Sequence, residues 1–214
     1  MTGRASGREP SLADVRLPDR VRAVVLVLHG GAEQDDQPVD GRSLSWRRGR
    51  QLARDIAPPL AGDGIGVVLL RYRMRGWNVA SDGMPAPVAD ARWALDELAR
   101  RHGRPVALVG HSMGARTAVA VAAHASVHGV VALAPWFPRG EPVEPLRAKA
   151  LRAAHGRRDH VTSAGATRQY VERAHGVCDA TFTDMGDVGH YLLRRVAAWN
   201  AIAVAGVREV LAAR

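Results

Sequence analysis

Four unbroken apolar runs punctuate the chain, each closed by glycine, proline or a polar turn residue: AVVLVLHGG (23–31), GVVLLRY (66–72), PVALVGHS (105–112) and GVVALAP (129–135). Rich in β-branched residues and lacking polar alternation, such runs predict strands buried on both faces. Between them apolar positions recur at helical spacing over residues 45–60, 87–102 and 115–125. Further on, 148–155 and 180–183 read as strands, and 164–175 and 191–213 as helices. Strand and helix alternate, which predicts an α/β fold with a mostly parallel sheet and helices on both faces. Residues 1–20 mix Gly, Ser, Pro and Arg; apart from a short edge strand expected near 15–17, they predict a partly flexible segment. That leaves 21–214 as one folded domain, with no internal repeat.

Composition adds limits. The chain has 214 residues, 47% hydrophobic and 24% charged, which is ordinary for a globular domain. Its net charge of +9 is carried almost wholly by arginine, since Lys149 is the only lysine. The arginines are spread from Arg4 to Arg214 rather than gathered in one stripe with interleaved aromatics, which argues against nucleic-acid binding. Cys178 is the only cysteine, so no intramolecular disulfide can form. No apolar run approaches the ~18 residues of a spanning helix, and the first residues lack a secretion-signal pattern, so the expectation is a cytoplasmic protein not integral to a membrane.

The chemistry concentrates at Gly110-His111-Ser112-Met113-Gly114, between an apolar strand and the helix-forming stretch ARTAVAVAAHA. A sharp strand-to-helix turn lifts a serine hydroxyl above the sheet, and small flanking residues relieve the crowding of such a turn. The helix start places backbone N–H groups beside the oxygen that becomes negative. Serine needs a base to be nucleophilic at neutral pH. His111, adjacent in sequence, should point away and pack. His190, in Gly186-Asp187-Val188-Gly189-His190 before the last helix, lies 78 residues beyond Ser112 and is the expected base.

From these motifs the sequence resembles the α/β-hydrolase superfamily, most closely its small lidless esterase-like members, with LHGG after the first central strand and GHSMG at the elbow. The resemblance spans about residues 21–190 and implies the chain order Ser, Asp, His. It assigns Ser112 as nucleophile, His190 as base, and Asp159 of HGRRDHVTS as the acid that orients His190; Asp179, Asp184 and Asp187 compete for that last role. It implies an oxyanion hole from the backbone N–H groups of Gly31 and Met113, with no metal or cofactor required and a small-molecule substrate. Carboxylic ester hydrolysis is the expected reaction. Amide, peptide or thioester cleavage by the same triad is an alternative, and a non-catalytic binding protein on the same fold a more distant one.

Other residues divide between surface and function. Arg71, Arg73 and Arg75 with Trp77 form either a solvated loop or a basic rim for an anionic substrate, with Arg73 as a candidate contact. In the family a lid follows the strand after the elbow helix. Here only the 14 residues 136–149 lie there, including Pro138, Pro142 and Pro145, too few for a helical cap. Trp136, with Phe137, is then the expected wall of a shallow acyl pocket. Cys178 has no nearby base and is expected to be inert.

Overall fold

The computed structural model describes residues 9–213; the segment expected to be flexible therefore lies partly outside the described residues. Seven strands form one sheet: β1 (Ser11–Arg16), β2 (Ala23–Leu28), β3 (Ile65–Arg71), β4 (Val106–His111), β5 (Val127–Leu133), β6 (Ala150–His155) and β7 (Asp179–Asp184). Their order is β1-β3-β2-β4-β5-β6-β7. All neighbours are parallel except β1, which pairs antiparallel with β3, Ser11 facing Arg71. The edge strand thus starts four residues before the sequence pattern placed it. Only Leu12 and Val15 of β1 pack against the core, so its periodicity is thin, and backbone pairing rather than apolar burial fixes it.

The continuous apolar runs become the sheet's centre: every residue of β2 and β4 is buried. Five helices cover the sheet: α1 (Leu44–Ala61), α2 (Ala86–His102), α3 (Met113–Ala120), α4 (Ala164–Ala174) and α5 (Val196–Ala212). Because β2-to-β3 and β3-to-β4 crossovers run in opposite directions, right-handed connections put α1 on one face and α2 on the other. α5 packs beside α1, and α3 beside α2. Two helices are shorter than their apolar spacing predicts. α3 ends at Ala120, and 121–126 continue as turns that feed β5. Residues 191–195 are not helical either: Leu192 and Arg195 both have positive φ, and the chain turns back before α5 begins.

Parallel strands share one carboxyl end, and the loops after β2, β4, β6 and β7 gather there. Between β5 and β6 the chain forms only a one-turn 3-10 helix, Glu144–Leu146, and no cap.

Candidate active site

The turn after β4 is strained in the way its sequence requires. Ser112 has φ 55° and ψ −119°, a backbone conformation that L residues rarely adopt. A Cβ on Gly110 would lie 2.5 Å from the Ala115 backbone, and one on Gly114 would overlap the Leu28 carbonyl. Only glycine at both positions lets α3 start directly against β2 and β4. Met113 is the first residue of α3, so its N–H has no intrahelical acceptor. Among the described residues neither it nor the Gly31 N–H donates to the backbone. A Cβ on Gly31 would overlap the Arg75 carbonyl and crowd the Met113 side chain, so this turn is held against the elbow.

His190 lies 78 residues from Ser112 in the chain, and the Ser112 hydroxyl donates to its Nε2 at 2.9 Å. Its Nδ1–H donates to Asp159 Oδ2 at 2.7 Å. An ionised carboxylate accepts only, so Nδ1 carries the ring proton and Nε2 faces the serine as acceptor. Asp159 is fully satisfied. Its Oδ1 accepts the Val161 and Thr162 amides, each at 2.8 Å, and its Oδ2 the Thr162 hydroxyl and His155 Nε2, each at 3.0 Å. Burial pushes its carboxyl up, but hydrogen bonds from His155 and His190 outweigh that and hold it well below the ordinary carboxylate range.

The competing acids sit elsewhere: Asp179 pairs with Arg152, Asp184 with Arg157 and Arg168, and Asp187 with Arg158. His111 packs as expected. Its Nε2 donates to the His190 carbonyl at 2.9 Å, and burial together with the adjacent His190 lowers its pKa to about 3. His29, tilted against Tyr72 and edge-on to Trp46, is lowered by burial to about 4. A buried neutral imidazole cannot compete with His190 for the serine proton here, because neither ring reaches Ser112.

Ser112 opens into a cleft of about 580 Å³ lined by Gly30, Gly31, His111, His190, the N-terminal half of α1 and the 191–193 turn. Two expected substrate contacts do not line it. Arg73 is drawn off by the buried Asp90, which accepts both its Nε, at 2.6 Å, and its amide, at 2.9 Å. Trp136 instead packs edge-on against Trp77, and the Arg116 guanidinium lies over both rings while it pairs with Glu141. Phe137 is buried in a stack with Tyr170. Arg75 turns to Asp40. Two contributors escaped the sequence reading. His155 and Thr162 frame Asp159 at i−4 and i+3, and the only signal was that the first residue of HGRRD, His155, closes the strand. Among the described residues, no group of three or more His, Cys, Asp or Glu is placed to hold a metal ion.

These features match known proteins at the level of fold and family. No curated protein is similar to the chain in sequence. A serine hydrolase without a lid from Xanthomonas campestris superposes with a TM-score of 0.66 at 20% identity, covering 96% of this chain and 90% of that one. A thermophilic esterase from Thermogutta terrifontis, with butyrate bound, gives a TM-score of 0.69 at 16% identity, covering 98% and 91%. Esterase Est1E from Butyrivibrio proteoclasticus gives 0.65 at 12%, covering 95% and 94%. The model of the alpha/beta hydrolase family matches residues 24–213, and the chain therefore belongs to that family of hydrolases.

Proposed function

We propose that the protein is a serine esterase acting on compact carboxylic esters. The observation that carries this reading is the unbroken hydrogen-bond chain from Ser112 through His190 to a buried, ionised Asp159, ending on an open cleft. Ser112 Oγ attacks the carbonyl carbon, its proton passes to His190 Nε2, and the carbonyl π electrons move onto oxygen. Gly31 and Met113 N–H groups receive that oxyanion. The tetrahedral centre collapses, the alkoxide leaves with the proton from His190, and an acyl-serine remains. Water, deprotonated by the same nitrogen, then releases the acid and restores Ser112. Asp159 fixes the ring tautomer and stabilises the imidazolium; Asp159 itself stays unprotonated.

The short connection between β5 and β6 favours small acyl groups, because it builds no cap to close the cleft over a chain that extends past Leu44, Tyr191 and Leu193, and each further methylene gains less than the ~0.8 kcal/mol of full burial. The test is kcat/KM across p-nitrophenyl esters from acetate to palmitate, alongside covalent labelling by a neutral fluorophosphonate. The expected result is labelling at Ser112 and a maximum at short chains. Absence of labelling and turnover overturns the esterase reading, and a maximum at palmitate overturns the open-site part of it.

A further inference from the structure

The cleft wall opposite the elbow is built by α1, and its charged side chains are all positive. Arg47, Arg48, Arg50, Gln51 and Arg54 line the cleft, and no acidic residue does. Arg47, Arg50 and Arg54 fall at i, i+3 and i+7, on one face of the helix, and span about 10 Å along it. Among the described residues the side chains of these three make no ion pair or hydrogen bond, unlike Arg73, Arg116 and Arg152, which are each tied to a carboxylate. Arg48 sits deeper. It gives Nη2 to the Leu192 carbonyl at 2.7 Å, and its buried Nε has no partner. Around the arginines the rim is apolar and exposed: Leu44 is 78% exposed, Leu193 69% and Tyr191 60%.

Four like charges on one wall repel one another; Asp55, beside Arg48 on the same helix, offsets part of that cost, and an entering anion relieves more of it. We propose that this wall selects esters carrying an anionic oxyacid group, a carboxylate or phosphate, several bonds from the scissile carbonyl. The inference rests on the esterase reading and names its substrate class. Leu44, Tyr191 and Leu193 cover the apolar part of the substrate, Arg48 marks the inner end of the wall, and Arg47, Arg50 and Arg54 hold the anionic end at its mouth. Guanidinium suits this task because its planar fork meets carboxylate or phosphate oxygens in pairs.

The test uses matched esters. Mono-4-nitrophenyl adipate is compared with 4-nitrophenyl hexanoate for an anionic acyl group, and 4-carboxyphenyl butyrate with 4-carbamoylphenyl butyrate for an anionic leaving group. A phosphate arm replaces the carboxylate of the preferred pair. The expected result is an anionic-to-neutral kcat/KM ratio of about tenfold in at least one pair at low salt, from several exposed contacts of modest strength each. The ratio should fall towards one as ionic strength rises from about 0.01 M to about 1 M. The triple variant Arg47→Gln, Arg50→Gln, Arg54→Gln should also lose the ratio while keeping its unfolding midpoint. Arg104→Gln, exposed in the loop before β4 at the far end of the sheet, removes a charge elsewhere and should keep the ratio. A protein that labels with fluorophosphonate but shows ratios of one or below overturns the anion proposal and leaves the esterase reading standing. Ratios of one with adsorption to phosphatidylserine vesicles also overturn it, and assign the wall to a membrane surface. Absence of both labelling and turnover overturns the two together.

Discussion

Among the described residues, two places bring together a serine, a histidine and an aspartate. One is Ser112, Asp159 and His190, from the loops after β4, β6 and β7; the other, at the opposite end of the sheet, is Ser126 and His124 just before β5 with Asp96 of α2. Distances alone barely separate them. His124 contacts the Ser126 hydroxyl at 2.9 Å and Asp96 at 3.2 Å. The differences lie in what surrounds them. The Asp159 side chain is 1% exposed and accepts five hydrogen bonds, whereas the Asp96 side chain is 77% exposed and solvent-screened. Ser112 stands in a strained turn at the start of α3, next to uncommitted amides and a cleft. Ser126 lies two residues from its histidine, and His124 Nδ1 also accepts the Ser126 amide at 3.2 Å. The proposed role of Ser112 therefore rests on a buried acid, a site for the oxyanion and room for substrate, which residue types at contact distance do not supply.

The comparison breaks most sharply at the two serines. Ser112→Ala should lower kcat by roughly 10⁶-fold, as removal of a nucleophile does in a unit of this kind. Rates of ester hydrolysis with unfolding curves check it, and an active variant moves the nucleophile elsewhere. Next comes the acid: Asp159→Asn should cost roughly 10⁴-fold in kcat by stabilising the wrong imidazole tautomer. Asp187→Asn, whose partner is the exposed Arg158, should stay within a few fold; the opposite ranking would reassign the acid. Gly31→Ala pushes a Cβ into the Arg75 carbonyl and shifts the proposed oxyanion donor, for a loss of roughly 10²-fold in kcat with a smaller change in KM.

Acid sensitivity sharpens the contrast in a different way, because the elbow is flanked by two buried neutral imidazoles and the remote cluster is not. In the unfolded chain an imidazole takes its proton near pH ~6.5. Folded, His29 resists protonation until about 4 and His111 until about 3. Acid therefore favours the unfolded chain: stability is complete above pH ~6.5 and is lost as pH falls from there to the folded values. The loss is on the order of 3 kcal/mol for His29 alone, and it begins well before the carboxylate range in which Asp159 would contribute its own. Unfolding midpoints between pH 8 and 5 should rise with pH and then level off; a flat curve contradicts the burial of both rings. The smallest effect belongs to the remote cluster, where Ser126→Ala should leave kcat within about twofold and stability within about 0.5 kcal/mol.

The chain's own pattern determined the sheet's centre and the elbow, while Asp159 was picked out from four aspartates only by the family resemblance of its turn. The first two depend on local features: unbroken apolar runs where a strand is buried on both faces, and glycines where a Cβ has no room. Where burial is partial, the pattern thins, so β1 was legible only in its last residues and the 191–195 turn was absorbed into the helix that follows. Helical spacing of apolar residues continues through that turn, but Arg48, at the Leu192 carbonyl, and Arg195, at the Met185 carbonyl, are among the contacts that hold the chain out of the helix there.

Only the tertiary structure decided which arginines face Ser112. Arg73 follows a strand at the correct end of the sheet, yet Asp90, 17 residues on and buried in α2, neutralises it. Nothing in the sequence singled out Arg47, Arg50 and Arg54, and they line the cleft because α1 folds back beside the elbow. The same holds for Trp136, which a linear reading puts at the pocket and the Arg116 stack removes from it. The burial of the central strands and the geometry of the elbow are decided within a few residues, so the sequence carries them. The partner of a charged side chain is set by contacts between distant segments, which exist only once the chain has packed.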